Sequence, residues 1–409
     1  MDDDLATPLD NMTPYSQSCQ LPSTTTTSRS PQRMWITLLA CLALGVLSII
    51  SHVQPTHHPT AFLRMVLAND TSTELDTVFT RAAIVYLPST DNGKYLNEFR
   101  WFHKSWTEMV LQQPPKWRTD IIVFTDGADV PLLHELGCTE VIRMAATDAN
   151  ACVVVYNYKK VKSAEFNYGF ADSINVVAVD QAATDPYDWI LRTDMDTFMT
   201  PAFATWKPPK LTVGSVGGYC FDGYDTCDHL LRIARKLNLT DPTVQDVGST
   251  WYGPAKLIQQ CAKLSMQVVN HLHQHEFNET EKSAAYGITG WPRWHYGVLT
   301  MYSGHMAIPH CTKDVGGFDK RNDLIDYPTY ATDKLSDHMH LHTYQGGGDF
   351  NKFLFQAGAY DSVDLSTLDQ TTVSGYSMYI ALTANHRGVT APQNKDGPKA
   401  TVGDDIVFF

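Results

Sequence analysis

One stretch, Trp189–Thr200, constrains the fold more than any other part of the chain. It reads WILRTDMDTFMT, an apolar run that leads to Asp194 and Asp196, two carboxylates separated by one residue, and Pro201 follows it. The apolar run predicts a buried strand that carries both acids to a fixed place at its end. Carboxylates are hard oxygen ligands, so a pair on a rigid strand end suits a divalent cation that takes its remaining ligands from phosphate groups.

The segments before this stretch alternate between strand and helix patterns. The predicted strands are Ala82–Leu87, Asp120–Asp126 and Thr139–Met144, and the predicted helices are Tyr95–Leu111, Pro131–Leu136 and Tyr158–Val179. This alternation indicates an α/β fold with a parallel sheet, in which ligands gather at the carboxyl ends of the strands. We therefore expect Leu87, Asp126 and Asp194 to lie along one edge. Residues 213–220 add a further strand with glycines that would permit close approach of a ligand or form a tight bend.

The N-terminal part of the chain predicts a membrane anchor. Residues 34–50 carry no charge, and Arg29 and Arg33 precede them. This length is at the lower limit for a membrane span, and the basic flank predicts a cytoplasmic N-terminus. A cleaved signal peptide is the alternative, but its charged region would be unusually long. We expect a disordered tail at 1–33, a stem at 51–78 and a lumenal body at 79–409. The short span favours the Golgi or the endoplasmic reticulum.

Cysteines and charge are consistent with a lumenal body. Six cysteines follow the predicted span, which allows up to three disulfides, and Cys220 and Cys227 are close enough in sequence to close a short loop. Glycosylation sequons begin at Asn69, Asn238 and Asn278. The formal net charge of −13, without a basic stripe, argues against nucleic acid as a partner.

These features together resemble a GT-A glycosyltransferase of the secretory pathway. The resemblance covers residues 81–219, and its sharpest motif is Asp194-Met-Asp196. It implies a GT-A-like, Rossmann-type mixed sheet flanked by helices, with a nucleotide-sugar-binding half at 79–219 and an acceptor-binding half at 220–409. It also implies that Asp194 faces the ribose or the metal, and that Asp196 ligates Mn²⁺ or Mg²⁺, which neutralises the diphosphate of a UDP- or GDP-sugar.

Three other residues of the first half are candidates for donor binding. Arg192 lies two residues before Asp194 and would pair with the acids or with a phosphate, unless it forms a structural ion pair. Asp126 at the end of the second strand would contact the base or the ribose, or cap a turn. Lys162 would supply a cation to the diphosphate, although a solvated helix face is the alternative for it and its neighbouring lysines.

The second half contains aromatic candidates for acceptor binding. Trp291, Trp294 and Tyr296 fall within one short segment. Aromatic rings make good platforms for the apolar face of a pyranose. The alternative is a core loop anchored by tryptophan.

A polar cluster at residues 333–344 completes the predicted site. His338, His340 and His342 alternate and would share one face of an extended strand. The resemblance points to His340 or His342 as the third metal ligand, and we favour His342. Asp333 and Asp337 are candidate general bases for an inverting reaction. A hydrated surface loop is the alternative.

We therefore expect a metal-dependent enzyme that moves a sugar from a nucleotide-sugar donor to a hydroxyl of a glycan or glycoprotein. Two alternatives remain open at this stage. One is a membrane-anchored, non-catalytic carbohydrate-binding glycoprotein, and the other is a metal-dependent hydrolase that uses the histidine cluster.

Overall fold

The structure, a computed structural model, describes residues 77–90, 93–140, 149–163, 165–179, 181–215, 218–283, 292–344 and 348–385. The predicted tail, the predicted anchor and nearly all of the predicted stem lie outside these ranges. Within them, no helix combines the length and the apolar character needed to cross a membrane.

A mixed seven-stranded sheet forms the centre of the fold, in the order β3-β2-β1-β4-β7-β6-β8. Its strands are β1 (Phe79–Tyr86), β2 (Trp117–Phe124), β3 (Cys152–Val155), β4 (Trp189–Arg192), β6 (Thr212–Val213), β7 (Trp251–Pro254) and β8 (Asp319–Lys320). Strands β3, β2, β1 and β4 are parallel, whereas β7 is antiparallel to both β4 and β6. The α/β class is therefore confirmed, and strands from both predicted halves of the body pair in one sheet.

Helices cover both faces of this sheet. They are α1 (Lys94–Val110), α2 (Pro131–Glu135), α3 (Asp172–Val179), α4 (Gln181–Thr184), α5 (Thr226–Lys236), α6 (Ala255–His275), α7 (Glu279–Lys282), α8 (Leu299–Thr312), α9 (Lys352–Gln356) and α10 (Val373–Asn385). Residues of β1 alternate between two cores: Ala83 packs in the cluster that contains Phe99 of α1, and Ile84 in the cluster that contains Ile174 of α3. Strands buried on both faces read as continuous apolar runs, which explains the pattern that predicted them.

A second, three-stranded sheet lies beyond the end of β4. It consists of β5 (Thr197–Met199), β10 (His340–His342) and β9 (Tyr327–Pro328), in that order. Strand β10 runs antiparallel to β5, with His342 opposite Thr197. This pairing brings His340 and His342 beside the segment that carries Asp194 and Asp196.

Several predicted elements are confirmed, and the three predicted C-terminal strand ends do share one edge. Tyr86 of β1 is in register with Phe124 of β2, and Ile84 with Arg192 of β4. The helix at 95–111 matches α1, and the short helix at 131–136 matches α2. All six cysteines of the body form disulfides, namely Cys138–Cys152, Cys220–Cys227 and Cys261–Cys311.

The predicted third strand is described only in part, and the long helix after it was predicted wrongly. Of the predicted strand Thr139–Met144, residues 141–144 lie outside the described ranges, and Thr139 forms an isolated bridge to Val153 of β3. The Cys138–Cys152 disulfide joins the same two segments. The predicted helix Tyr158–Val179 is helical only from Asp172. Its first half is irregular because the Asp172 carboxylate accepts hydrogen bonds from the Val161 N–H and the Tyr158 hydroxyl.

Two predicted strands are shorter than expected. The stretch Trp189–Thr200 forms β4 and β5 in different sheets, with a turn between them, so the acids lie in a turn between two strands. Of the described residues in the predicted strand at 213–220, only Val213 belongs to a strand, as the last residue of β6 (Thr212–Val213). At Gly214 a Cβ atom would lie 2.1 Å from the Asp326 carboxylate, so this glycine serves close packing inside the protein.

Candidate metal centre

The paired acids are held by the turn between β4 and β5. The Thr197 hydroxyl, at the start of β5, donates to the Asp194 carbonyl oxygen at 2.8 Å. Thr343, the residue after β10, donates its backbone N–H and its hydroxyl to the Asp196 carbonyl oxygen, at 3.0 and 2.9 Å. Because neighbouring strands clamp the turn on both sides, the position of both carboxylates is fixed by the backbone.

Asp194, Asp196 and His342 converge on one place. Each offers one ligand atom, and these three atoms lie within 4.8 Å of one another. His342 Nε2 is 3.3 Å from Asp196 Oδ1. His340 uses its Nε2 elsewhere, at 3.0 Å from the Thr193 hydroxyl. Of the two histidines that the sequence offers, His342 is therefore the one placed to complete the site.

The donor set fits a divalent cation such as Mn²⁺. Two carboxylate oxygens suit Mg²⁺ and Mn²⁺, and an imidazole nitrogen shifts the preference towards a transition metal. Asp194, whose side chain is 25% exposed, opens the group to a cavity, whereas His342 is fully buried. The site therefore has a buried base and one accessible side, as expected if part of the coordination shell is left to a substrate or water.

Until a metal displaces the Nε2 proton of His342, two buried cations keep Asp196 ionised. Lys352 Nζ lies 2.6 Å from Asp196 Oδ2, while His342 faces Oδ1. Burial alone would raise the pKa of the Asp196 carboxyl, but the positive charges of Lys352 and His342 outweigh it and hold that pKa well below its usual range. Burial would likewise lower the pKa of His342, yet Asp196 and Asp326 raise it to about 10.

Arg192 orients the second acid. Its guanidinium contacts Asp194 Oδ1 at 3.1 Å and also donates to the Ser173 and Ser249 carbonyl oxygens. Arg192 is 1% exposed, so its charge is committed to these partners. The predicted ion pair with the acids is confirmed for Asp194, and it is built into the wall of the site.

A cavity of about 430 Å³ opens beside the acids, a size that suits a small-molecule ligand. Its charged lining comprises Lys94, Glu98, Arg192, Asp194, Asp196 and Lys352, and its aromatic lining comprises Tyr86, Tyr95, Tyr168, Phe170 and Phe353. Ser249 also lines it, and its buried hydroxyl has no hydrogen-bond partner in the described part of the chain. A buried hydroxyl of this kind gains free energy when a ligand or water bonds to it.

Two predicted donor-binding residues do not reach the described lining of the cavity. Asp126 accepts a hydrogen bond from the Ser89 N–H at 2.8 Å and pairs with Lys160 at 2.6 Å. Burial opposes the resulting fall in the pKa of Asp126, but Lys160 and the Ser89 N–H prevail. Asp126 therefore has the structural, turn-capping contacts that were its alternative. Lys162 is exposed and follows an irregular segment, since the predicted helix is absent there.

The predicted bases and aromatic platforms lie elsewhere too. Asp333 and Asp337 are exposed on a loop that faces solvent, and neither belongs to the described cavity lining. Asp333 accepts a hydrogen bond from the Tyr327 hydroxyl, and Asp337 accepts one from the Ser336 hydroxyl. Trp294 stacks on Phe277, Tyr302 and His229, with ring centroids 4.8 Å apart in each pair. Tyr296 bonds to His273. Trp294 and Tyr296 are therefore packed in a core, and Trp291 lies outside the described residues.

Three residues of the centre escaped sequence reasoning. Glu98 is buried on α1 in the stripe formed with Phe102, Ser105 and Met109, so a charge at an apolar helix position was the signal that could have revealed it. Lys352, which follows a glycine-rich stretch, and Asp326 carried no local signal. Their roles depend on contacts between residues far apart in the sequence.

The chain belongs to the DUF7164 family, a domain of unknown function, whose sequence profile matches residues 76–392. A comparison with curated proteins found no match.

Proposed function

We propose that this protein is a metal-dependent glycosyltransferase with a GT-A-like fold, which moves a sugar from a UDP- or GDP-sugar to a hydroxyl of a glycan or glycoprotein. The observation that carries the proposal is the meeting of Asp194, Asp196 and His342 at the carboxyl edge of β4, beside the cavity. Ligands of α/β sheets bind at this edge. The predicted anchor and the three disulfides support a lumenal location on Golgi or endoplasmic reticulum membranes, with a cytoplasmic N-terminus.

The three ligands would hold Mn²⁺ or Mg²⁺. A divalent cation bound there supplies charge that neutralises a diphosphate leaving group. The protein residues prepare the place for it: Lys352 keeps Asp196 ionised, and Arg192 holds Asp194 towards the cavity. Because these contacts exist before any ligand binds, little reorganisation is needed when the donor arrives.

The acceptor hydroxyl must lose a proton as it attacks the sugar carbon. Glu98 is the carboxylate of the described cavity lining that remains once Asp194 and Asp196 are assigned to the metal. It is 6% exposed and lies 3.9 Å from Lys352 Nζ. Within the proposed function, Glu98 takes over the role that the sequence suggested for Asp333 and Asp337, and Phe170 and Phe353 replace Trp294 and Tyr296 as sugar-facing rings.

The test is ligand-dependent stabilisation of the full-length protein in detergent. UDP or GDP with Mn²⁺ at about one hundred times the Kd should add about 2.7 kcal/mol to the free energy of unfolding and raise the melting temperature. Asp194→Asn should abolish the Mn²⁺-dependent part of this rise. Asp333→Asn, a matched change of an exposed aspartate outside the described cavity lining, should leave it intact.

Each outcome has a distinct meaning. No rise with either nucleotide would contradict the proposal. A rise without turnover of any nucleotide sugar would favour the carbohydrate-binding alternative over the enzyme.

A further inference from the structure

We propose that Asp326 is the positioning residue of the metal centre: it holds His342 so that Nε2 is the nitrogen presented to the metal. The inference rests on the proposed metal site and extends it to a residue outside the cavity. Asp326 lies directly before β9 and is 1% exposed. It is not among the residues that line the cavity, so any effect on the centre passes through the residues it contacts.

The contact is made on the far side of the imidazole ring. Asp326 Oδ1 lies 3.2 Å from His342 Nδ1, while His342 Nε2 lies 3.3 Å from Asp196 Oδ1. The ring is thus held between two carboxylates, one on each nitrogen. When Asp326 accepts the Nδ1 proton, the lone pair that remains for a metal is on Nε2, which points to the acids.

The protein builds a place specifically for this carboxylate. Asp326 has a φ of 57°, a left-handed conformation that few residues other than glycine adopt. A Cβ atom at Gly214 or Gly248 would lie 2.1 or 2.6 Å from Asp326 Oδ2, so two glycines leave room for it. Thr250 donates both its backbone N–H and its hydroxyl to the same carboxylate.

Asp326 is also tied to the strand that carries His342. The Tyr344 hydroxyl donates to its carbonyl oxygen at 2.8 Å, and its backbone N–H contacts His340 Nδ1 at 3.4 Å. His340 in turn reaches Thr193, the residue before Asp194. The carboxylate is therefore fixed relative to the imidazole and to the acid-bearing turn at the same time, which is the geometry that orientation of a ligand requires.

The test compares Mn²⁺ affinity in three forms of the full-length protein, measured by electron paramagnetic resonance on samples shown to be folded. Asp326→Asn fits the same space, but its amide can donate to Nδ1 and so move the ring proton to Nε2. We expect its Mn²⁺ affinity to fall about 10- to 100-fold. Thr250→Val removes one hydroxyl donor to the same carboxylate but keeps the contact of Asp326 with His342, so its Mn²⁺ affinity should fall much less than that of Asp326→Asn.

Equal Mn²⁺ affinity in wild type and Asp326→Asn would overturn the inference but leave the metal site standing. The same holds if Thr250→Val loses as much Mn²⁺ affinity as Asp326→Asn does. A wild type that binds no Mn²⁺ would overturn the metal site and this inference together. If Asp326→Asn does not fold, electron spin echo spectra of the Cu²⁺-loaded wild type provide the test. These spectra report on the imidazole nitrogen that does not bind the metal, and we expect that nitrogen, His342 Nδ1, to be hydrogen-bonded. A nitrogen without a hydrogen bond would refute the assignment.

Discussion

His342 and His305 are both buried, yet their surroundings shift their pKa values in opposite directions. His342 belongs to the acidic edge, which we define as Asp194, Asp196, Asp326 and His342. Burial alone would lower the pKa of His342, but the charges of Asp196 and Asp326 raise it to about 10. His305 lies on α8, where burial lowers its pKa to about 4.

The partners of the two rings explain the difference. His305 Nδ1 contacts the Tyr219 hydroxyl at 3.1 Å, and Tyr219 packs on Tyr302, which stacks on Trp294. We call these four residues the aromatic layer. A phenol stabilises an imidazolium far less than a carboxylate does, so the aromatic layer excludes charge whereas the acidic edge retains it. A polar reaction is better supported by a region that holds charges in fixed positions.

The largest effect should come from removing the carboxylate at the centre of the acidic edge. Asp196→Asn leaves Lys352 without its closest carboxylate and His342 without one of its two. We expect a loss of about 3–5 kcal/mol in the free energy of unfolding, since breaking a buried ion pair leaves uncompensated charge. Chemical unfolding of the full-length protein measures it. Asp337→Asn, an exposed control, should stay within about 0.5 kcal/mol, and equal losses in both would contradict the comparison.

A smaller loss is expected from the aromatic layer. Trp294→Ala should cost about 3 kcal/mol through lost packing, while nucleotide binding by the folded fraction stays unchanged. Phe170→Ala should weaken nucleotide binding with little loss of stability, because this ring is 37% exposed and lines the cavity. The two variants are compared by unfolding and by nucleotide titration. If Trp294→Ala weakened binding without loss of stability, its interpretation as a core residue would be wrong.

The smallest effect concerns acid sensitivity. The unfolded chain protonates His305 near its ordinary pKa of 6.5, whereas the folded chain does so only near 4, so stability falls as the pH falls between these values. We expect this residue to cost about 2 kcal/mol of unfolding free energy between pH 7 and pH 5. His305→Gln should remove that part of the acid slope. An unchanged slope in unfolding experiments at the two pH values would contradict this, since it would show that His305 titrates alike in the folded and the unfolded chain.

Sequence reasoning reached the elements that depend on local patterns. The apolar runs of β1, β2 and β4 and the periodicity of α1 identified the sheet, and the paired acids at the end of β4 identified the edge that carries the candidate metal centre. His342 was also placed correctly beside them. These features are readable because each depends on the spacing of residues close together in the chain.

The failures share a different cause. The contacts of Glu98 and Lys352 with the centre join residues more than a hundred positions apart, and that of Asp326 joins two different segments. Only Glu98, a charge at an apolar helix position, has a local pattern that marks it. Trp294 and Asp333 were misplaced for the same reason, since an aromatic or acidic residue in an irregular segment reads alike whether it faces a cavity, a core or solvent.

The most direct test of the central claim is the release of nucleoside diphosphate from UDP- and GDP-sugars by the full-length protein with Mn²⁺. The account predicts release with at least one donor, its loss on chelation of the metal, and its loss in Asp194→Asn but not in Asp333→Asn. Release that survives both chelation and Asp194→Asn, or no release from any donor offered with glycan acceptors, would contradict it.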